Sequence, residues 1–132
     1  MTFNEIEQQF SLCKSWEERY RLLIQLSRSL PKYTESELAN LPEIYGCESR
    51  LWFKFQSEPR LIQAYSDARL MQGILAIVIT FVNELPKQEL AKLDLQAVFN
   101  QLNIAKNLTS TRLNGLKQIS EIICHSAYTQ PI

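Results

Sequence analysis

The sequence predicts an α+β fold, a small three-stranded antiparallel sheet packed against several helices. Three observations predict it. Helical spacing governs the apolar residues up to Leu30, a period of two governs residues 51–56, and helical spacing returns from Ala68 onward. At 132 residues, with no repeats, low-complexity segments or dividing linker, a single domain over 1–132 is expected.

The elements follow in order. Phe3, Ile6, Phe10 and Cys13 are spaced by three and four and share one face of a short amphipathic helix. Ser15-Trp16-Glu17-Glu18 reads as a reciprocal capping box, Ser15 and Glu18 each serving the other's amide. The helix it opens is expected to turn Trp16, Tyr20, Leu23, Ile24 and Leu30 inward and to stop at Pro31. Residues 32–42 form a connector with room for one helical turn. Leu51, Phe53 and Phe55 alternate with Trp52, Lys54 and Gln56, a strand pattern rich in aromatics. Ser57-Glu58-Pro59 is turn material, and 60–65 supplies a second strand, paired with the first as a hairpin. Ile44 and Tyr45 begin a third.

Ser66-Asp67 reads as the N-cap and first-turn acid of a central helix over 68–83. That helix is nearly apolar all round, so it must be buried. Its β-branched run, Ile77-Val78-Ile79-Thr80, is overruled by length, because strands are usually shorter. Two short amphipathic helices are predicted over 87–92 and 95–102. A last helix opens near Thr109-Ser110 and presents Leu113, Leu116, Ile119 and Ile123, with the final few residues frayed.

Fourteen Lys plus Arg balance fourteen Asp plus Glu. That balance lacks the basic footprint of a general nucleic-acid binder. The longest apolar run, Ile74 to Val82, is interrupted by Thr80 and falls short of the ~20 residues that cross a membrane. Met1 to Glu7 carries acids where a secretory leader carries basic residues. Cys13, Cys47 and Cys124 form no CxxC pair, and an odd count fits free thiols in a reducing compartment. A cytoplasmic protein with no nucleic-acid or membrane partner is expected.

The inventory for chemistry is short. His125, the one histidine, adjoins Cys124, but helical neighbours diverge by about 100°, which rules out a Cys/His couple. The cysteine spacing does not suggest zinc, and neither phosphate-cradling glycine motif is present. Cys13 and Cys124 sit among apolar residues and read as small hydrophobes. Cys47 follows Gly46 and precedes Glu48-Ser49-Arg50 in a loop. Gly46 gives the backbone freedom and removes bulk beside the sulfur, and Arg50 is placed to favour the thiolate. These residues alone leave two readings open, a reactive thiol or an ordinary loop cysteine. Trp16, Trp52 and Tyr20 read as core aromatics, with partner contact as the alternative.

Five landmarks in order add to this. They are Trp16-Glu17-Glu18-Arg19-Tyr20, Leu30-Pro31, Gly46-Cys47-Glu48-Ser49-Arg50-Leu51-Trp52, Ser66-Asp67-Ala68 with Gly73-Ile74-Leu75-Ala76, and Leu108-Thr109-x-x-Arg112-x-x-Gly115-Leu116. Over about residues 10–123 the sequence resembles the SufE/CsdE family of sulfur-acceptor proteins. Ala64-Tyr65-Ser66 departs from the family's usual Gly-Asp-Ser, and Leu26-Ser27-Arg28 lacks a glycine that often follows the leucine. Glu48 and Arg50 lean toward the CsdE branch.

The resemblance implies a SufE/IscU-like fold and a role in iron–sulfur cluster assembly. The implied partner is a cysteine desulfurase of the SufS or CsdA type, which holds pyridoxal phosphate and strips sulfur from free cysteine. Cys47 would accept that sulfur as a persulfide, stimulate the desulfurase and pass the sulfur to a scaffold or other user. This chain would need no cofactor or metal and would not be an independent enzyme. Gly46, Glu48 and Arg50 would support the loop. Asp67 would anchor it or meet the partner, and Arg112 would stabilise the sulfur anion. A persulfide must be sheltered from reductants and oxidants yet deliverable, so the loop is expected to rest with its sulfur tucked in and to swing out on docking. The rival reading is a cluster-binding scaffold or interaction protein without sulfur transfer, which would need its cysteines to converge.

Overall fold

The alternating stretch forms a strand and pairs with the next as a hairpin in the computed structural model, which describes residues 1–128. Strand β2 (Leu51–Ser57) pairs antiparallel with β3 (Arg60–Ser66), with Leu51 opposite Ser66 and Ser57 opposite Arg60. The turn between them contains a cis Glu58–Pro59 peptide. Strand β1 (Glu43–Ile44) pairs antiparallel with the start of β2, Ile44 opposite Leu51, giving the order β1-β2-β3. Tyr45, expected in β1, lies just beyond it and is exposed. Leu51, Phe53 and Ala64 point into the core. Trp52, on the opposite face, is also buried, 6% exposed.

The helices are α1 (Phe3–Ser11), α2 (Trp16–Ser27), α3 (Glu35–Ala39), α4 (Arg69–Glu84), α5 (Leu95–Gln101) and α6 (Ser110–Tyr128). Short 3-10 turns cover Lys87–Lys92 and Ala105–Asn107. Helix α3 is the single turn expected in the 32–42 connector. Helix α4 is the central one, with Met71, Gly73, Ile74, Leu75, Ala76, Ile77, Val78 and Val82 all buried. It packs against α2 and β3, while α6 packs on β2 and α5 through Leu116, Ile119 and Ile123. One apolar cluster joins residues of the three strands and of every helix but α3. No helix among the described residues is long and apolar enough to cross a membrane. The expected fraying of the last residues concerns positions outside the described ones.

Three local expectations need correction. Ser15 does accept from the Glu18 amide at 3.2 Å. The Glu18 carboxylate, however, takes the Lys14 amide at 2.7 Å, one residue before the reciprocal partner of a capping box. The N-cap of α4 is Ala68, with no side-chain cap bond, because Ser66 and Asp67 are engaged elsewhere, as described below. The buried stripe of α2 is Arg19, Leu23 and Ser27. Tyr20 is turned outward, 42% exposed, and Trp16 packs against it edge-on, ring centroids 6.1 Å apart; Trp16 and Ile24 are only half-buried.

That rotation has a steric cause. A Cβ on Gly73 of α4 would stand 2.2 Å from the Leu23 carbonyl oxygen, so α2 and α4 meet backbone to side-chain-free backbone. So close an approach favours small or slender groups at the contact, Ser27 and the Arg19 stem, over Tyr20 and Ile24.

Gly73→Ala is therefore expected to push the two helices apart and lower stability by about 1–3 kcal/mol or more. Gly115→Ala, whose Cβ would meet the Leu51 side-chain end at 3.2 Å, should cost less. Urea denaturation of the two variants beside the parent checks the ranking.

Candidate functional site

Residues 45–50 bridge β1 and β2, so both ends of the loop are set by the Ile44–Leu51 pairing. Gly46 has φ +95°, the left-handed region that side chains avoid. A Cβ there would also press on Asn114 Nδ2 at 3.2 Å. The glycine thus turns the chain beside α6 and brings Cys47 onto that helix. Cys47 is half-buried. Its Cβ lies 3.8 Å from the place a Gly115 side chain would start, and its Sγ is 3.9 Å from Ser49 Oγ.

The fold holds each end of the loop. On the early side, Gln118 Nε2 of α6 donates to the Tyr45 carbonyl at 3.0 Å. On the late side, the Arg50 amide donates to Asp67 Oδ1 at 2.9 Å. The Arg50 carbonyl accepts from Ser66 Oγ at 2.6 Å and from the Asp67 amide at 3.4 Å. Ser66 and Asp67 therefore extend the β2–β3 edge to clasp the loop instead of capping α4. Ser66 Oγ does also accept from the Ala68 amide at 3.3 Å.

Arg50, expected to favour the thiolate, is committed elsewhere. Its guanidinium donates to both Glu43 oxygens at 3.0 Å and lies 4.6 Å over the Trp52 ring. That bidentate bond holds the Glu43 carboxyl below its usual range. Arg112, expected beside the sulfur anion, pairs with Glu48, Nη1 to Oε1 at 3.6 Å. The Arg112 Nε is buried without a hydrogen-bond partner.

Glu48 gathers more than that ion pair. Thr109 Oγ1 and Thr111 Oγ1 both donate to its Oε1, the latter at 3.3 Å. Thr109 in turn accepts from the Arg112 amide at 3.3 Å, which places the cluster at the first turn of α6. The Thr109 hydroxyl is the main cause, with Arg112 and Thr111 adding to it, that holds the Glu48 carboxyl below the usual carboxylate range. The sign is that of a depressed acid. The contact is fully present above the ordinary value of 4.5 and is lost as pH falls through the lower folded value.

The structure thus brings Gly46, Cys47, Glu48, Asp67 and Arg112 to one loop and its two supports. Sequence reasoning missed Ser66 as a clasp, Thr109 and Thr111 as donors to Glu48, and Gln118 and Gly115 as the α6 floor. Gly115 and Thr109 were visible only as landmarks of the family pattern. An open groove of about 540 Å³ flanks the loop, its lining including Leu38, Leu41, Glu43, Tyr45, Arg50 and Trp52.

The other cysteines are placed differently. Cys13 follows α1, and its Sγ donates to the Gln9 carbonyl at 3.6 Å. Burial and then the Glu18 charge push its thiol up, away from the nucleophilic form. Cys124 on α6 donates to the Leu93 carbonyl at 3.5 Å. All three cysteines are free. Among the described residues no three His, Cys, Asp or Glu side chains gather as a metal-binding group.

The SufE Fe-S metabolism associated domain matches residues 4–127. An uncharacterized SufE-like protein of Haemophilus influenzae is 38% identical over 117 residues, covering 86% of this chain and 93% of the relative. A second, from Rhizobium etli, is 30% identical over 132 residues, covering 96% and 89%. The cysteine desulfuration protein SufE of Wigglesworthia glossinidia brevipalpis is 31% identical over 121 residues, covering 89% and 84%. The matched span takes in the β1–β2 loop, the Ser66-Asp67 clasp and the first turn of α6 together, and the chain belongs to the SufE family.

Proposed function

We propose that this protein is a sulfur carrier that accepts persulfide sulfur from a cysteine desulfurase onto Cys47 and passes it on for iron–sulfur cluster assembly. The observation that carries the reading is the placement of Cys47, half-buried at the middle of a loop whose two ends the fold holds. Family membership supports it, as does the desulfuration name of the Wigglesworthia relative.

The transfer has the physics of thiol–disulfide exchange. The Cys47 thiolate attacks the terminal sulfur of the desulfurase's cysteine persulfide. A sulfur–sulfur bond forms on Cys47 as the partner's breaks, and the partner's cysteine leaves as a thiolate. There is no net oxidation or reduction, so this chain requires no cofactor, metal or general base of its own. The chemistry that releases sulfur from cysteine stays with the desulfurase, which also gains turnover once its persulfide is emptied. The groove beside the loop, with exposed Tyr45 at its edge and Trp52 in its wall, gives a docking partner an aromatic surface at the base of the loop that carries the thiol. The cytoplasm, a reducing compartment, keeps the three thiols free for this use.

The deciding experiment mixes the protein with a cysteine desulfurase and free cysteine, then weighs it intact under non-reducing conditions. Wild type should gain the mass of one sulfur atom and Cys47→Ser none. Equal gain at Cys13 or Cys124 would remove Cys47 from the mechanism.

The Asp67 clasp makes a separate prediction. Asp67→Ala should raise hydrogen exchange at the Arg50 amide by about tenfold, the loss of one charge-assisted bond. Exchange in α4 and β2 should stay unchanged. An unaltered Arg50 amide would show that Asp67 does not anchor the loop.

A further inference from the structure

The loop is fastened at three places, and the third differs in kind from the other two. Its ends are tied through backbone groups, Tyr45 to Gln118 and Arg50 to Ser66 and Asp67. Between them, the backbone of residues 46–49 makes no hydrogen bond to the described residues. Besides the packing of Cys47 on α6 at Gly115, the polar contact that crosses from the middle of the loop to the body of the protein is made by the side chain next to the cysteine. Glu48 reaches Thr109, Thr111 and Arg112, on separate positions of the α6 first turn.

We propose that Glu48 is a positioning residue for Cys47: its carboxylate, held by Thr109, Thr111 and Arg112, is the latch that keeps the loop on α6, and its release is the step that presents the thiol. The proposal rests on the sulfur-carrier reading and adds the contact that regulates it. Three features make this contact a latch and not a fixed joint. It consists wholly of polar atoms, so water can replace each partner at little cost. It is partly exposed, with the Arg112 and Glu48 side chains 18% and 44% accessible, so salt weakens it. It also sits one residue from the sulfur, so letting go of Glu48 necessarily loosens Cys47. The depressed carboxyl of Glu48 keeps the ion pair charged throughout the neutral range.

The geometry also joins the latch to Arg112. While Glu48 is in place, the guanidinium is turned to the carboxylate. Once Glu48 leaves, its terminal nitrogens lose that partner and are available to a new anion near the loop.

The test reads loop opening directly and needs no desulfurase. Cys47 is alkylated with iodoacetamide at neutral pH, and each cysteine is followed separately by peptide mass spectrometry. Glu48→Gln should speed Cys47 alkylation by about two- to fivefold, the range of a partly exposed ion pair, with Cys13, Cys124 and the thermal midpoint unmoved. Arg112→Gln should act similarly, and the double variant should be no faster than either single one. Raising sodium chloride should speed the wild type toward the Glu48→Gln rate and leave that variant unchanged. A Glu48→Gln rate equal to wild type, additive single effects, or equal salt responses would overturn the latch. Sulfur loading of the same proteins separates the two claims. Normal loading of Cys47 without this coupling overturns the latch alone, and intact coupling without any loading overturns the sulfur-carrier reading, leaving Glu48 as a control on thiol exposure.

Discussion

The Ile44–Leu51 pairing is the constraint on which the site depends. It brings the two ends of the Cys47 loop to neighbouring strands, so no motion of the loop can move its base. The chain between those paired residues has a contour of about 25 Å, at ~3.6 Å per residue. Folded back on itself, it carries its midpoint no more than about 12 Å from the base. Cys47 and Glu48 are that midpoint, equally far in sequence from the two paired residues. A side chain there has the longest reach the connection allows, yet a short one. A partner must come to the loop, and the surface around the base must tolerate contact.

The surroundings of the base are built accordingly. Gly115 lets α6 lie close under the loop, where a side chain would press on Leu51 at 3.2 Å and lie beside Met71 and Cys47. Those neighbours belong to β2, α4 and the loop itself, so the floor beneath the cysteine is continuous with the core. The core in turn depends on Gly73, which allows α2 to close on α4. The rigid parts are apolar and densely packed, and such contacts resist partial displacement. The contacts that Glu48 makes from the middle of the loop are, by contrast, all polar. This division separates what must stay fixed from what is free to move.

Much of this was legible in the sequence, because local rules decided it. The period of two placed β2, the turn at Ser57-Glu58-Pro59 placed β3 beside it, and the length of the apolar run made α4 a helix in spite of its β-branched residues; the Gly-Cys pair alone left Cys47 with two readings. The errors share one physical origin. Tyr20, Ile24 and Ser66-Asp67 were read from their own element's periodicity or capping pattern, but tertiary contact decided them. Gly73 let two backbones meet and so chose the buried face of α2. The Arg50 main chain claimed Ser66 and Asp67 before α4 did, and a serine or aspartate ahead of a helix has no local mark of such a competitor. Arg50 itself was assigned to the thiol by proximity in sequence. In space the nearest good partner was Glu43, across the β1–β2 strand ends, with Trp52 beneath. The Thr109–Glu48 contact spans 61 positions, and no spacing rule reaches that far.

A sulfur carrier faces two demands that oppose each other, and a polar latch answers both where an apolar seal does not. Were the loop held by buried hydrophobic side chains, opening would expose them to water and cost free energy in proportion to their area. The thiol would be safe and nearly undeliverable. Were the loop held only at its ends, the sulfur would be open to small reductants and oxidants for most of the time. A charged, partly exposed contact lies between these limits. It favours the closed loop at rest, and its partners are satisfied by water or by a docking protein when it opens. The same reasoning explains why the two backbone clasps belong at the ends of the loop and not beside the cysteine. A hydrogen-bonded main chain at Cys47 would have to be broken in every transfer, whereas a side chain one residue away lets the sulfur move and leaves the strand pairing intact.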